Sequence, residues 1–137
     1  MENWIEEVIT KWQLEGVRLN PPAAISDIEE VESILDFRFP EDFKAFYSVI
    51  NGFDGLDWQE HMFTFWPLKL IIEDFEAASD KSFIGFCDFL INSYSIGFVR
   101  NRDGIFKSYN YIENKESIAR SFEEVVDMIN SNNDLIY

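Results

Sequence analysis

Three groups of residues in this 137-residue chain carry side chains able to do chemistry. His61 is the single histidine and Cys87 the single cysteine, so a nucleophile and its base would have to be built around these two. His61 lies in QEHMF at the start of an expected strand, where a local hydrogen bond is its expected role. Cys87 lies in FIGFCDFL among large apolar residues, the setting of a buried, inert thiol. One histidine and one cysteine also exclude two-histidine and multi-cysteine zinc signatures. The second group is Asp54, Asp57 and Glu60, which gather negative charge around Trp58 but lack the alternating ligand spacing and closing glutamate of a calcium loop. They predict a solvated loop facing a protein partner. The third group, Arg100, Arg102 and Lys107, is interleaved with Phe98, Phe106 and Tyr109, a pattern that can hold nucleic acid. Three bases in so acidic a chain point instead to pairing with acids across strands. No glycine-rich phosphate loop, dinucleotide fingerprint or G-x-S-x-G elbow occurs. The expectation is a protein with no catalytic residues, no metal and no cofactor.

Charge narrows the partners. The chain holds 26 acidic and 11 basic residues, a formal net charge of -15, and residues 1–60 alone hold 14 acids against four bases. Such a surface repels nucleic acid and anionic membrane and favours a basic protein. A single cysteine precludes an internal disulfide, and MENWIEEVITKW has neither a basic leader region nor a long apolar run. No segment approaches the roughly 20 apolar residues that span a bilayer, so a cytoplasmic setting is expected.

The elements that must position these groups can be read from periodicity. Trp4, Ile5, Val8, Ile9 and Trp12 recur at helical spacing and predict a first helix ending near Gly16. After the stiff stretch NPPAA, Ser26 and Glu29 form an S-x-x-E capping box, with Ile28, Val31, Ile34 and Leu35 as the buried face of a second helix. Pro40 suits the first turn of a third helix, Glu41 and Asp42 complement its dipole, and Phe43, Phe46, Tyr47 and Ile50 make an aromatic stripe that Asn51 and Gly52 close. Beyond Gly55 the runs MFTFW, SFIGFCDFLI, YSIGFV and GIFKSYNYI have strand length and composition, with NRDG as a hairpin turn. PLKLIIEDFEAAS fits a strand or a short helix. Ser121 and Glu124 form a second capping box ahead of a terminal helix bearing Phe122, Val125, Val126 and Ile129, and SNNDLIY is expected to fray. The acids Glu29, Glu30, Glu32, Glu123, Glu124 and Asp127 fall on helices as wet faces. With 47% hydrophobic and 17% aromatic residues there is material for one core, so residues 1–137 are expected to form a single α+β domain of N-terminal helices and a C-terminal helix packed on an antiparallel β-sheet.

The order of signals in PPAAISDIEEVESILDFRFPEDFKAFYSVINGFDG resembles the SUKH superfamily, whose eukaryotic branch contains the SMI/KNR-type regulators of cell-wall glucan synthesis. The matching positions are Pro22, Glu32, Phe39, Pro40, Phe43, Phe46, Tyr47, Asn51 and Gly52. FIG at 83–85 resembles the family's strand-glycine signal and IARSFEEVVDMI its terminal helix, so the likeness covers roughly 20–130. Asp36 stands where the family often has glycine after its second helix. The resemblance implies a non-catalytic binding module, since many bacterial members are similar to immunity proteins that neutralise polymorphic or contact-dependent toxins, frequently nucleases. It implies a basic toxin domain as partner, with a regulatory scaffold as the alternative, and it leaves the oligomeric state open. Asp54, Asp57, Trp58 and Glu60 are then the expected partner-binding residues.

Overall fold

The computed structural model describes residues 2–55, 57–109 and 115–137. Three helices come first: α1 (Asn3–Leu14), α2 (Ile25–Leu35) and α3 (Glu41–Tyr47). Then follow β1 (Phe63–Phe65), α4 (Leu68–Ala77), β2 (Phe83–Phe89), β3 (Tyr94–Val99), β4 (Ile105–Ser108), β5 (Glu116–Ala119) and α5 (Phe122–Asn130), with a 3₁₀ turn at Asp134–Ile136. The five strands form one antiparallel sheet in sequence order, β1-β2-β3-β4-β5. This is the expected α+β arrangement, with α3 and α5 meeting on one side of the sheet and α4 packed on β2.

The aromatic stripe of α3 makes the core. Phe43, Phe46 and Tyr47 are fully buried, and Phe43 stacks between Phe39 and Tyr47 with ring centroids 4.3 and 4.2 Å away. Phe122, the first residue of α5, reaches Phe43 at 5.0 Å, Phe46 at 5.5 Å and Phe86 of β2 at 5.2 Å. One ring thus joins two helices to the sheet. α3 is shorter than its stripe implies: it stops at Tyr47, and Ile50 is buried from the turn that follows rather than from the helix. Asn51 and Gly52 therefore do not close it.

Two caps behave differently. α2 is flanked by Ala24, so Ser26 falls inside the helix and the Ser26–Glu29 capping box does not form. Ile34 is 46% exposed, which leaves Ile28, Val31 and Leu35 as the buried face. At the other end Asp36 takes the left-handed conformation (φ 50°) that glycine adopts without penalty. Arg100 secures this turn, its guanidinium donating to the carbonyls of Leu35 (2.8 Å) and Asp36. The basic cluster is thus divided. Arg100 binds carbonyls rather than acids and Arg102 lies over the Phe106 ring, whereas Lys107 does meet its cross-strand neighbour Glu116, at 3.9 Å. Ser121 caps α5 as its sequence predicts, its hydroxyl accepting from the Glu124 amide at 3.1 Å, while the Glu124 carboxylate accepts from Arg120 N.

Three segments are settled by the structure rather than by periodicity. PLKLIIEDFEAAS resolves as helix α4, which buries Leu68 and Ile71. ESIA forms β5, an edge strand with one buried residue, too short and too exposed to carry a strand signal. The end of the run GIFKSYNYI, residues 110–112, lies outside the described residues. The tail does not fray: Asn133 Oδ1 accepts from Leu135 N, Ile136 is fully buried, and Tyr94 donates its hydroxyl to the Ile136 carbonyl at 2.8 Å. Among the described residues no helix is long and apolar enough to cross a membrane.

Truncating Phe43 to alanine is expected to cost about 3–5 kcal/mol and Ile136 to alanine about 2–5 kcal/mol. Urea unfolding followed by tryptophan fluorescence measures both. A change at Ile136 below about 0.5 kcal/mol would show that the tail is not packed.

Candidate partner-binding surface

Of the positions named in the resemblance, Glu32, Tyr47, Asn51 and Gly52 brace the backbone. Glu32 turns its carboxylate back to accept from Phe39 N at 2.8 Å, fixing the chain between α2 and α3. Asn51 accepts through Oδ1 from Leu68 N, satisfying one orphan donor at the start of α4, and its amide donates to Pro21 O. Gly52 has φ 68° and lies against the Trp66–Pro67 peptide, where an added Cβ would stand 2.5 Å from Pro67 N. Tyr47, buried, donates its hydroxyl to the Trp66 carbonyl at 2.6 Å, and burial pushes that phenol well above its usual pKa, so it stays a neutral donor. Pro40 precedes the first helical residue of α3, and Pro22 is exposed in the connector.

From Gly52 the chain enters the acidic loop, which is tied down by bases distant in sequence. Asp57 accepts from Arg18 three times: at Oδ2 from the backbone amide (2.7 Å) and Nε (3.0 Å), and at Oδ1 from Nη2 (2.9 Å). The Arg18 side chain and its amide hold the Asp57 carboxyl below its ordinary range. Lys11 bridges Glu60 at 3.1 Å and Glu15 at 2.9 Å, and the Lys11 hydrogen bond lowers the Glu60 carboxyl in turn. His61 Nε2 stands 3.0 Å from the same Glu60 oxygen, the local role expected of it. Beneath them the buried Gln59 side chain accepts from the amides of His61 and Phe63. Of the three loop acids, Asp54 is exposed and, among the described residues, makes no ion pair. The loop presents less free charge than its sequence promises.

Trp58 contributes to a cavity that none of those three acids lines. Its indole, 37% exposed, forms the rim of this cavity of about 290 Å³, whose other walls include Trp66, Pro67, Leu70 and Ile91. Leu70 and Ile91 are themselves exposed, and Ile91 sits in the β2–β3 turn between Leu90 and Asn92, all three at positive φ (47°, 53° and 61°). A β-branched residue rarely adopts that conformation. The cavity also contains Asp88, which sequence reading passed over in favour of its neighbour Cys87. The available signal was a lone charge inside the apolar run SFIGFCDFLI. Cys87 itself is fully buried, and desolvation raises its thiol well above the usual range, so it is held as the unreactive thiol. Among the described residues no three His, Cys, Asp or Glu side chains cluster so as to hold a metal ion.

This α+β chain, with its braced backbone and an aromatic-rimmed cavity beside a clamped loop, matches a family model over residues 22–128: the SMI1 / KNR4 family (SUKH-1). The chain belongs to that family. No curated protein sequence matches it.

Gly52→Ala is expected to destabilise the domain by about 3 kcal/mol or more, because it combines a left-handed backbone with a clash against a fixed peptide. Calorimetry checks this, and an unchanged Tm would refute the close approach. Asp57 makes a pH prediction. Its folded carboxyl titrates below the ordinary value of 3.8, so its contribution is present above that pH and is lost as pH falls through the lower folded value. Asp57→Asn should flatten the acid limb of the stability curve below about pH 4 and leave the alkaline limb unchanged.

Proposed function

We propose that this chain is a non-catalytic binding module acting as an immunity protein, which neutralises a basic toxin domain, such as a nuclease, by covering the surface that would otherwise engage nucleic acid. The observation that carries this reading is the charge excess of -15 on a member of the SMI1 / KNR4 (SUKH-1) family. With Asp57 and Glu60 occupied by Arg18 and Lys11, the negative field comes mainly from elsewhere: Asp54, and the exposed Glu6, Glu7, Asp27, Glu29 and Glu30 on α1 and α2. Charges distributed in this way steer a cationic partner over distance and set the association rate more than the final affinity. Trp58 supplies what charge cannot, a rigid aromatic anchor beside a cavity, of the kind that dominates binding energy. Partnership with a basic toxin implies a cytoplasmic site of action, where the incoming toxin domain meets its target.

A second reading is favoured by the family description itself. Membership of the SMI1 / KNR4 group supports a regulatory scaffold resembling regulators of glucan synthesis, binding a biosynthetic or signalling partner with the same surface. A toxin-encoding reading frame next to this one favours immunity, and isolated metabolic neighbours favour regulation.

Surface plasmon resonance against the toxin domain encoded by the neighbouring frame tests the proposal. The association rate should fall steeply as salt rises and the dissociation rate should respond much less. Trp58→Ala should raise the dissociation rate by a penalty of about 2 kcal/mol or more while the domain stays folded. Association indifferent to salt would overturn the electrostatic mechanism.

A further inference from the structure

Asp88 is the penultimate residue of β2, with 6% of its surface exposed, and it contributes to the cavity rimmed by Trp58. Both carboxylate oxygens are held in place: Oδ2 accepts from the Trp66 indole at 2.6 Å and Oδ1 from the Asn92 amide at 3.1 Å. Both donors are neutral, so they orient the carboxylate without cancelling its charge. Among the described residues no lysine, arginine or histidine forms an ion pair with it, although buried carboxylates are normally matched by a cation. Among the described residues, Asp88 is also the one charged residue lining this cavity. The walls above it are the apolar or aromatic surfaces of Trp58, Trp66, Pro67, Leu70 and Ile91.

An oriented, uncompensated carboxylate inside an aromatic and aliphatic cavity of about 290 Å³ has the form of a receptor for one long cationic side chain. A lysine or arginine buries its methylene stem against such walls and keeps its charged head for an acceptor at the end. Two indoles at the cavity add cation–π attraction, and the guanidinium plane stacks on them. We propose that the Trp58–Asp88 cavity is a specificity pocket that takes a single arginine or lysine side chain of the protein partner. Charge complementarity selects this occupant: among the described residues the pocket is lined by one negative group and no positive one, in a protein of net charge -15. The inference deepens the basic-partner reading and rests on it for the identity of the macromolecule. The rim turn Leu90–Ile91–Asn92 belongs to the same device. Its Asn92 amide fixes Asp88, and its strained backbone holds Ile91 at the entrance.

The pocket can be tested without any toxin, so its failure is distinct from failure of the immunity reading. The probe is N-acetyl-arginine amide, with N-acetyl-citrulline amide as its neutral isostere, titrated into ¹⁵N-labelled protein while the tryptophan indole resonances are followed. The arginine probe should shift the Trp58 and Trp66 indole signals saturably in the millimolar range, and the citrulline probe should bind at least tenfold more weakly. Asp88→Asn should abolish the preference for arginine over citrulline. Because Asp88 is buried, Trp58→Ala at the exposed rim serves as a second variant and should weaken the arginine probe at least tenfold. Equal responses to the two probes would overturn the proposal, as would an arginine response unchanged by Trp58→Ala. The absence of any saturable shift at tens of millimolar would also overturn it.

Discussion

The structure turns on one close approach, that of Gly52 to the peptide joining Trp66 and Pro67. No side chain fits between them, so the backbone after α3 and the backbone between β1 and α4 are locked at van der Waals distance. Hydrogen bonds reinforce the lock from both sides, with Tyr47 donating to the Trp66 carbonyl and Asn51 accepting from the Leu68 amide. Three consequences follow. α4 starts at a fixed place on β2, the loop between Gly52 and Phe63 must leave the core in one direction, and the Trp66 indole is aimed at Asp88. Tyr47, Asn51 and Gly52 therefore act as a scaffold. They brace the frame from which the acidic loop and the Trp58 cavity are presented.

This division accounts for how the acidic loop and the cavity differ. Asp57 and Glu60 lie at the surface and are matched by Arg18 and Lys11, interactions that hold the loop in shape and add little stability in water. Asp88 lies in the interior and, among the described residues, is matched only by dipoles, so its field is screened less. A charge left without a cation among the described residues is thus found at a single buried group, outside the segment where acidic letters are densest.

How far the sequence could be read depended on the range of the determining interaction. The faces of α1, α3 and α5, the NRDG hairpin and the Ser121 cap rest on neighbours within a few residues, and all are legible. The α2 cap was displaced by two residues because Ala24, rather than Ser26, takes the extended conformation ahead of the helix. Residues 68–77 could not be assigned by periodicity because their helicity is set by Asn51 and Pro67 at one end and by packing on β2 along one face. ESIA owes its strand state to pairing with β4, and the docked tail owes its order to Tyr94, 42 residues away. The candidate site was half visible. Trp58 stood out as a large aromatic among acids, but the partners of Asp57 and Glu60 lie 39 and 49 residues upstream, beyond any local pattern.

The first and last helices run side by side in the same direction. Trp4 meets Phe122 at the start of α5, and Trp12 donates its indole hydrogen to Asn130 at the end of α5, across a separation of 118 residues. Loop-closure entropy must be paid over nearly the whole chain before this contact can return anything. Phe122 is also the ring that joins α3 to the sheet, so α1 to α3 have no complete core of their own until α5 arrives. A chain built in this way is expected to fold as one slow cooperative unit, without a stable N-terminal half that could form early and persist alone.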